Sequence, residues 1–376
     1  MARRKKSNNR KPWGIYVYIA GDNNLSDNGL KDIVEMTKAG ASKDVHVAVQ
    51  IDTRGDYDGT VRYEISEPDF AGASHRIVIE RFAEQNTGDP VVLANFAAWG
   101  ANRYPASKRV LVVWNHGAGF MHEPTRDIAY DDSSRGDALT MAELRWALEK
   151  AGFGKKAGTL SILGFDACLM NMVEVAYEFG GLTRYVVGSQ QTEPADGWPY
   201  DRIVARAKAK TTPKAMAAGI VSDYVRSYRA IGTRGITQSA VDVAKLAAVG
   251  KAVDSLGGIL LARVGASRTE ILQARVGAQG YEEPTYVDLA DLMKRIQARL
   301  PDARVRAACA RVKQAVKMAV LAKGSLGGSV NRSAGLSIWF PLVKTDYATR
   351  RSEYMALKYT ADYPAWAAFL DALLAV

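Results

Sequence analysis

The chain of 376 residues predicts an α/β fold: a three-layer α/β/α sandwich with a mostly parallel central sheet, plus a mainly helical C-terminal region. Three observations predict it. Short apolar runs alternate with helical periodicities through the first two-thirds of the chain, the pattern of a parallel sheet covered on both faces. The clearest runs, Val110–Trp114 and Leu160–Leu163, are nearly continuous in apolar residues, as strands buried on both faces are. From Ala244 onward, long Ala/Leu/Val-rich helical segments replace the alternation. The expected division is a basic disordered arm over 1–12, a sheet-bearing domain over 13–243 and a helical region over 244–376.

In chain order, Ile15–Ala20 is rich in β-branched and aromatic residues and reads as the first strand. The Gly21-Asp22-Asn23-Asn24 loop leads to a helix with apolar Leu30, Ile33, Val34 and Met36, closed by Gly40. Val45–Ile51 is the second strand, and Val61–Ile65 with Arg76–Ile79 reads as a hairpin. Pro90–Tyr104 has helical periodicity, and Val110–Trp114 is the next strand. After a polar loop, Met121–Asp137, comes a helix over Thr140–Ala151 with Thr140 and Glu143 as a capping box. Leu160–Leu163 follows, then a helical pattern from Met170 through Val173, Ala176 and Tyr177. Tyr185–Gly188 is a strand, Pro213–Ile231 a helix and Gln238–Val243 a further strand. Helices are expected around 244–264, 285–299 and 302–322, then a Gly/Ser-rich stretch over 324–335. Leu336–Phe340 is strand-like and is expected to add to the sheet.

Composition narrows the class. Hydrophobic residues are 48% and charged residues 24%, ordinary for a globular protein. The formal net charge is +10, partly from Arg3, Arg4, Lys5, Lys6, Arg10 and Lys11. No nucleic-acid motif accompanies that charge, so a solvated surface is the better reading and no specific nucleic acid is expected. Two cysteines make no disulfide framework, and no Cys/His cluster has zinc spacing. No apolar run is long enough for a membrane span. No signal peptide is recognisable, so a cytoplasmic location is the default, with secretion by another route left open.

Cys168 stands where a buried strand hands over to a helix, and His116 follows another such strand. Both fall at the carboxyl edge of the sheet, the place for chemistry in open α/β folds. A thiol needs a nearby base to be a good nucleophile at neutral pH. The plain alternatives are a small buried cysteine and a hydrogen-bonded strand-end histidine. His46, His75 and His122 have poorer flanks.

The order His then Cys, each at a strand end, is shared with the caspase–gingipain–legumain clan. Trp114-Asn115-His116-Gly117, Gly164-Phe165-Asp166-Ala167-Cys168-Leu169-Met170 and Thr192-Glu193-Pro194-Ala195-Asp196-Gly197-Trp198-Pro199-Tyr200 resemble the clostripain family of cysteine peptidases. So do Ala20-Gly21-Asp22-Asn23-Asn24-Leu25 and Gly335-Leu336-Ser337-Ile338-Trp339-Phe340-Pro341. The resemblance implies a caspase-like fold and an endopeptidase with a His116/Cys168 dyad. It implies an oxyanion hole from the Gly117 and Cys168 N–H groups and cleavage of protein or peptide substrates after Arg or Lys. Asp166 and Asp196 match the family as pocket anions; their alternatives are a helix cap and an ordinary Asp-Gly turn. Trp198 walls the pocket or packs the loop.

Relatives are cut between their His and Cys strands. Here self-cleavage after Arg135 is expected, with Lys155 and Lys156 as a second choice. Some relatives need calcium, although the chemistry itself requires no cofactor. Asp52, Asp56 and Asp58 share one loop and Asp127, Asp131 and Asp132 another, neither with EF-hand spacing, so no metal ligand is assigned. A monomer is expected. The competing readings are a catalytically silent scaffold of the same fold and a nucleic-acid-associated protein led by the arm; intact His116 and Cys168 favour the peptidase.

Overall fold

The structure is a computed structural model that describes residues 10–54, 59–122, 127–155 and 157–375. Its strands are β1 (Lys11–Gly21), β2 (Val45–Thr53), β3 (Val61–Ile65), β4 (Arg76–Arg81), β5 (Ala106–Trp114), β6 (Leu160–Asp166), β7 (Thr183–Gly188), β8 (Ile236–Asp242), β9 (Tyr286–Asp288), β10 (Val320–Leu326) and β11 (Ser337–Trp339). One sheet has the order β10-β8-β7-β6-β5-β1-β2-β3-β4. Its centre, β2-β1-β5-β6-β7, is parallel, and both flanks are antiparallel.

Strand alternation builds the three layers. From β1, Trp13, Ile15, Val17 and Ile19 point into one core with the helices Ser26–Ala39, Tyr200–Arg206 and Pro213–Ala230. Tyr16, Tyr18 and Ala20 point into the other, with Pro90–Arg103, Met141–Lys150 and the C-terminal helices. The two tyrosine hydroxyls donate to backbone carbonyls of Tyr104 and Thr87, so neither polar tip is buried unpaired. The expected capping box is present, with Thr140 and Glu143 each accepting from the other's backbone N–H.

Some elements differ from expectation. β1 starts at Lys11, inside the expected arm, because Lys11 Nζ reaches the Ser42 carbonyl and Glu67, both at 2.7 Å; residues 1–9 lie outside the described ones. The helix Ala303–Ala319 ends early, and the next residues form β10, antiparallel to β8 at the sheet edge. The Ala/Val run around 320 carried no signal to separate a helix end from an edge strand. β11 pairs with β9 in a separate two-stranded ribbon rather than in the main sheet. After Cys168 the chain makes an irregular turn, and the helix is only Val173–Glu178.

The C-terminal region packs against the loop that follows β5. Phe120 meets Trp339 edge-on with ring centroids 5.4 Å apart, and Tyr286 Oη donates to the Ala118 carbonyl at 2.5 Å. The core thus runs continuously across residue 243. Among the described residues no helix is long and apolar enough to cross a membrane.

Asn171, fully buried, ties these parts together. Its side-chain amide donates to the carbonyls of Gly188, Ser239 and Gly335, and its own carbonyl accepts from Ser337 N. Asn171→Ala leaves buried acceptors without donors and is expected to cost about 2–4 kcal/mol. A urea midpoint shifted by less than a quarter of that, at unchanged slope, would show that the junction does not depend on it.

Candidate active site

β5 and β6 run parallel with Trp114 opposite Asp166. His116 and Cys168 each stand two residues beyond that pair, and Asn115 N donates to the Asp166 carbonyl, extending the ladder one step further. The register alone therefore brings the two side chains to one level at the carboxyl edge.

The turn around Cys168 is tight. A Cβ on Gly117 would lie 2.3 Å from the Cys168 carbonyl and 3.1 Å from its backbone N. Only glycine permits that approach, so the backbone next to His116 lies against the cysteine. Leu169 adopts a left-handed φ of 63°, an uncommon conformation for a branched residue. Its N–H donates to the Gln191 carbonyl. The thiol is half-buried, and Glu193 N donates to Cys168 Sγ at 3.2 Å. A backbone donor thus points at the atom that would carry a nucleophile's charge.

His116 is oriented by a residue the sequence reading passed over. Its Nε2–H donates to Asn24 Oδ1 at 2.7 Å, which fixes the ring. Asn24 ends the Gly-Asp-Asn-Asn loop after β1, the strand beside β5. Its polar, turn-forming composition marked a loop and gave no sign of the partner.

An open cleft of about 400 Å³ adjoins Cys168, lined by Gly117, Ala118, Leu169, Thr192, Glu282 and Glu283 among others. The glutamates come from the C-terminal region, which therefore forms part of the cleft wall.

The expected pocket residues divide. Asp166 caps no helix: its Oδ2 accepts from Trp198 N at 3.2 Å and from Tyr200 Oη at 2.8 Å. Burial pushes it up to about 7, against the effect of those donors and of Glu193. Trp198 is fully buried beneath β6, and its Nε1 donates to Glu193 Oε2 at 3.1 Å; it packs the loop and holds both acids. Glu193, whose Oε1 also accepts from Gln238, is held well above the usual carboxylate range by burial and by the charges of Asp166 and Cys168. Asp196 is exposed and lines a second cavity together with Asp32 and Glu35. Neither acid of the Ser26–Ala39 helix stood out in the sequence, where each looks like an ordinary helix-surface charge.

Arg135 is exposed at the tip of a turn, with φ 63°. The turn is closed by Gly136 N to the Asp131 carbonyl and by Ser134 N to Asp131 Oδ1. Lys155 is exposed, while Lys156, Asp56 and Asp58 lie outside the described residues. Of the remaining loop acids, Asp127 pairs with His122 and Asp132 with Arg54. Asp52, which lies in β2 and not in the loop where it was expected, and Asp131 meet Asp22 and Glu84; one oxygen of each lies within 4.8 Å of the others.

A sequence model of the clostripain family matches residues 17–373. Clostripain of Hathewaya histolytica is 31% identical over 235 residues, covering 54% of this chain and 43% of that protein, so the chain spans less than half the length of this curated relative. A secreted C11 cysteine protease from Bacteroides thetaiotaomicron, solved with an irreversible peptide inhibitor, superposes with a TM-score of 0.75 at 21% identity over 94% of this chain and 99% of that one. An inactive zymogen C11 protease from Parabacteroides distasonis gives 0.74 at 20% identity over 94% and 98%. At those identities the two structures share the fold. The family model spans nearly the whole chain, and the chain belongs to the clostripain family.

Proposed function

We propose that the chain is a cysteine endopeptidase that cuts after arginine or lysine. The observation that carries this is the register of β5 and β6, which sets His116 and Cys168 at equal heights beyond Trp114 and Asp166. Cys168 Sγ attacks the peptide carbonyl to form a tetrahedral intermediate. His116 takes up the thiol proton and delivers it to the leaving amine as the thioester forms; water then releases the acid and the free thiol. The N–H groups of Gly117 and Cys168, adjacent across the close approach, stabilise the oxyanion. Asp166 and Asp196 supply negative charge for the basic side chain, and Trp198 holds Asp166 in place.

Cys168→Ala is expected to abolish cleavage of arginine-ending fluorogenic peptides. Asn24→Ala is expected to lower kcat about tenfold with little change in KM, because it loosens the orientation of His116. Release of as much dye by Cys168→Ala as by wild type would leave a silent scaffold as the better reading.

The same reading includes self-processing after Arg135. A protease cleft takes extended backbone, so the Asp131–Gly136 turn must open first. A new N-terminus at Gly136, absent from Cys168→Ala protein, is the expected result of terminal sequencing. An intact chain with full activity would remove this step.

Calcium fits the cluster of Asp22, Asp52, Glu84 and Asp131. Asp22 Oδ1 and Asp52 Oδ2 are buried with no donor. Burial and the neighbouring Glu84 push Asp52 up to about 9. Burial also holds Glu84 and Asp131 above the usual carboxylate range, and a hard divalent ion takes oxygen ligands of this kind. It would neutralise the cluster and hold the Asp131 turn against the end of β1. Because binding displaces protons, affinity should rise with pH. Calcium is expected to raise the melting temperature by about 3–6 °C at neutral pH, and Asp52→Asn to remove the shift. Equal melting in calcium and chelator would refute the site.

A further inference from the structure

The second cavity, of about 270 Å³, lies between the Ser26–Ala39 helix, the turn after Asp196 and the end of the Pro213–Ala230 helix. Asp32, Glu35 and Asp196 face it, with Lys31 also among its lining residues. Asp32 is 3% exposed and its Oδ2 accepts from Trp114 Nε1 at 2.7 Å. That bond fixes an acid of the helix to the last residue of β5.

Gly197, in the cavity wall, shows how near Asp32 comes to Asp166. A Cβ there would lie 3.1 Å from both oxygens of Asp166 and 3.3 Å from Asp32 Oδ2. Two buried carboxyls thus flank one glycine, at the edge of a space large enough for a long side chain. The left-handed φ of 57° favours glycine at 197, and the contacts leave a Cβ little room. The other charged or titratable groups facing the pair are Glu35, Asp196 and Tyr228 on the cavity side, with Glu193, Tyr200 and Tyr224 around Asp166. Lys31 is the only cation among the residues lining the cavity.

Two carboxyls this close cannot both ionise cheaply in a buried site, whereas a guanidinium can bridge them with its planar fork. Resting on the endopeptidase reading, we propose that Asp32 is a specificity-determining residue: with Asp166 it forms a two-carboxyl clamp for the basic side chain of the substrate. Burial and the charge of Asp166 hold Asp32 well above the usual carboxylate range, and Asp166 is pushed up to about 7. Both shifts favour the protonated empty pocket. The sign follows: below neutral pH the clamp keeps its proton and binds a cation weakly, and as pH rises the proton leaves and binding tightens.

The test compares arginine-ending with citrulline-ending peptides, which match in shape but not in charge, from pH 5.5 to 8.5. In wild type the arginine KM should fall as pH rises through neutrality. Asp32→Asn should cut the arginine-to-citrulline ratio of kcat/KM about ten- to hundredfold and flatten that pH dependence. If Asp32→Asn does not fold, benzamidine binding to wild type decides, by calorimetry in two buffers at pH 6.5. Release of about one proton is expected, and no release overturns the clamp. An Asp32→Asn enzyme with the wild-type ratio and pH slope overturns the role of Asp32 while leaving the peptidase intact. A wild-type enzyme that cuts both peptides alike removes the preference for basic residues and the clamp with it.

Discussion

Everything at this site depends on the parallel pairing of β5 with β6. A one-residue slip would turn each strand's side chains to the opposite face. It would also part His116 from Cys168 by a residue along the edge. The pairing is secured from several sides. Val110, Val112 and Ile162 belong to one core, and Leu111, Val113, Leu163 and Phe165 to the other. Beyond the last pair, Asn115 extends the ladder through its backbone and sends its amide to the carbonyls of Ala20 and Tyr130. His116 and Cys168 are placed by the hydrophobic register, and the polar groups at the edge lock the ends.

The same edge concentrates buried acid. Asp22 and Asp52 end or follow β1 and β2, Asp166 ends β6, and Asp32 and Glu193 close in from neighbouring segments. Backbone N–H and indole donors satisfy part of each group, as at Asp166 from Trp198 and at Asp32 from Trp114. They do not supply a cation. Buried charge of one sign left uncompensated is costly for folding alone. Burial accordingly holds Asp32, Asp52, Asp166 and Glu193 above the usual carboxylate range, which favours their protonated forms.

The fold class was legible because alternation of buried runs with helical periods is a local signal. The two strand ends carrying His116 and Cys168 were legible for the same reason, and so was the Thr140–Glu143 box. What the sequence hid is non-local. Asn24 reaches His116 across the sheet. Asp32 reads as one charge on an amphipathic helix until Gly197 brings Asp166 beside it. Asp52 of β2 and Asp131 lie far apart in sequence, and the cluster takes single acids from four separate segments. β10 was lost because Val320–Ala322 continues a helical composition and Gly324 reads as a break. Its strand identity comes only from the open edge of β8.

The consecutive residues Asp22, Asn23 and Asn24 connect these features. Asp22 takes part in the acidic cluster and accepts from Ser133 N in the Arg135 turn. Asn23 donates to the Ala20 and Tyr130 carbonyls, the same two that Asn115 uses. Asn24 accepts from His116. The carbonyls of Ala20 and Tyr130 are therefore each shared by two amides, one beside Asn24 and one beside His116. The arrangement is a contiguous chain of hydrogen bonds from Asp22 of the acidic cluster to His116. It runs through hydrogen bonds to backbone carbonyls, whose geometry tolerates little displacement before the bond is lost.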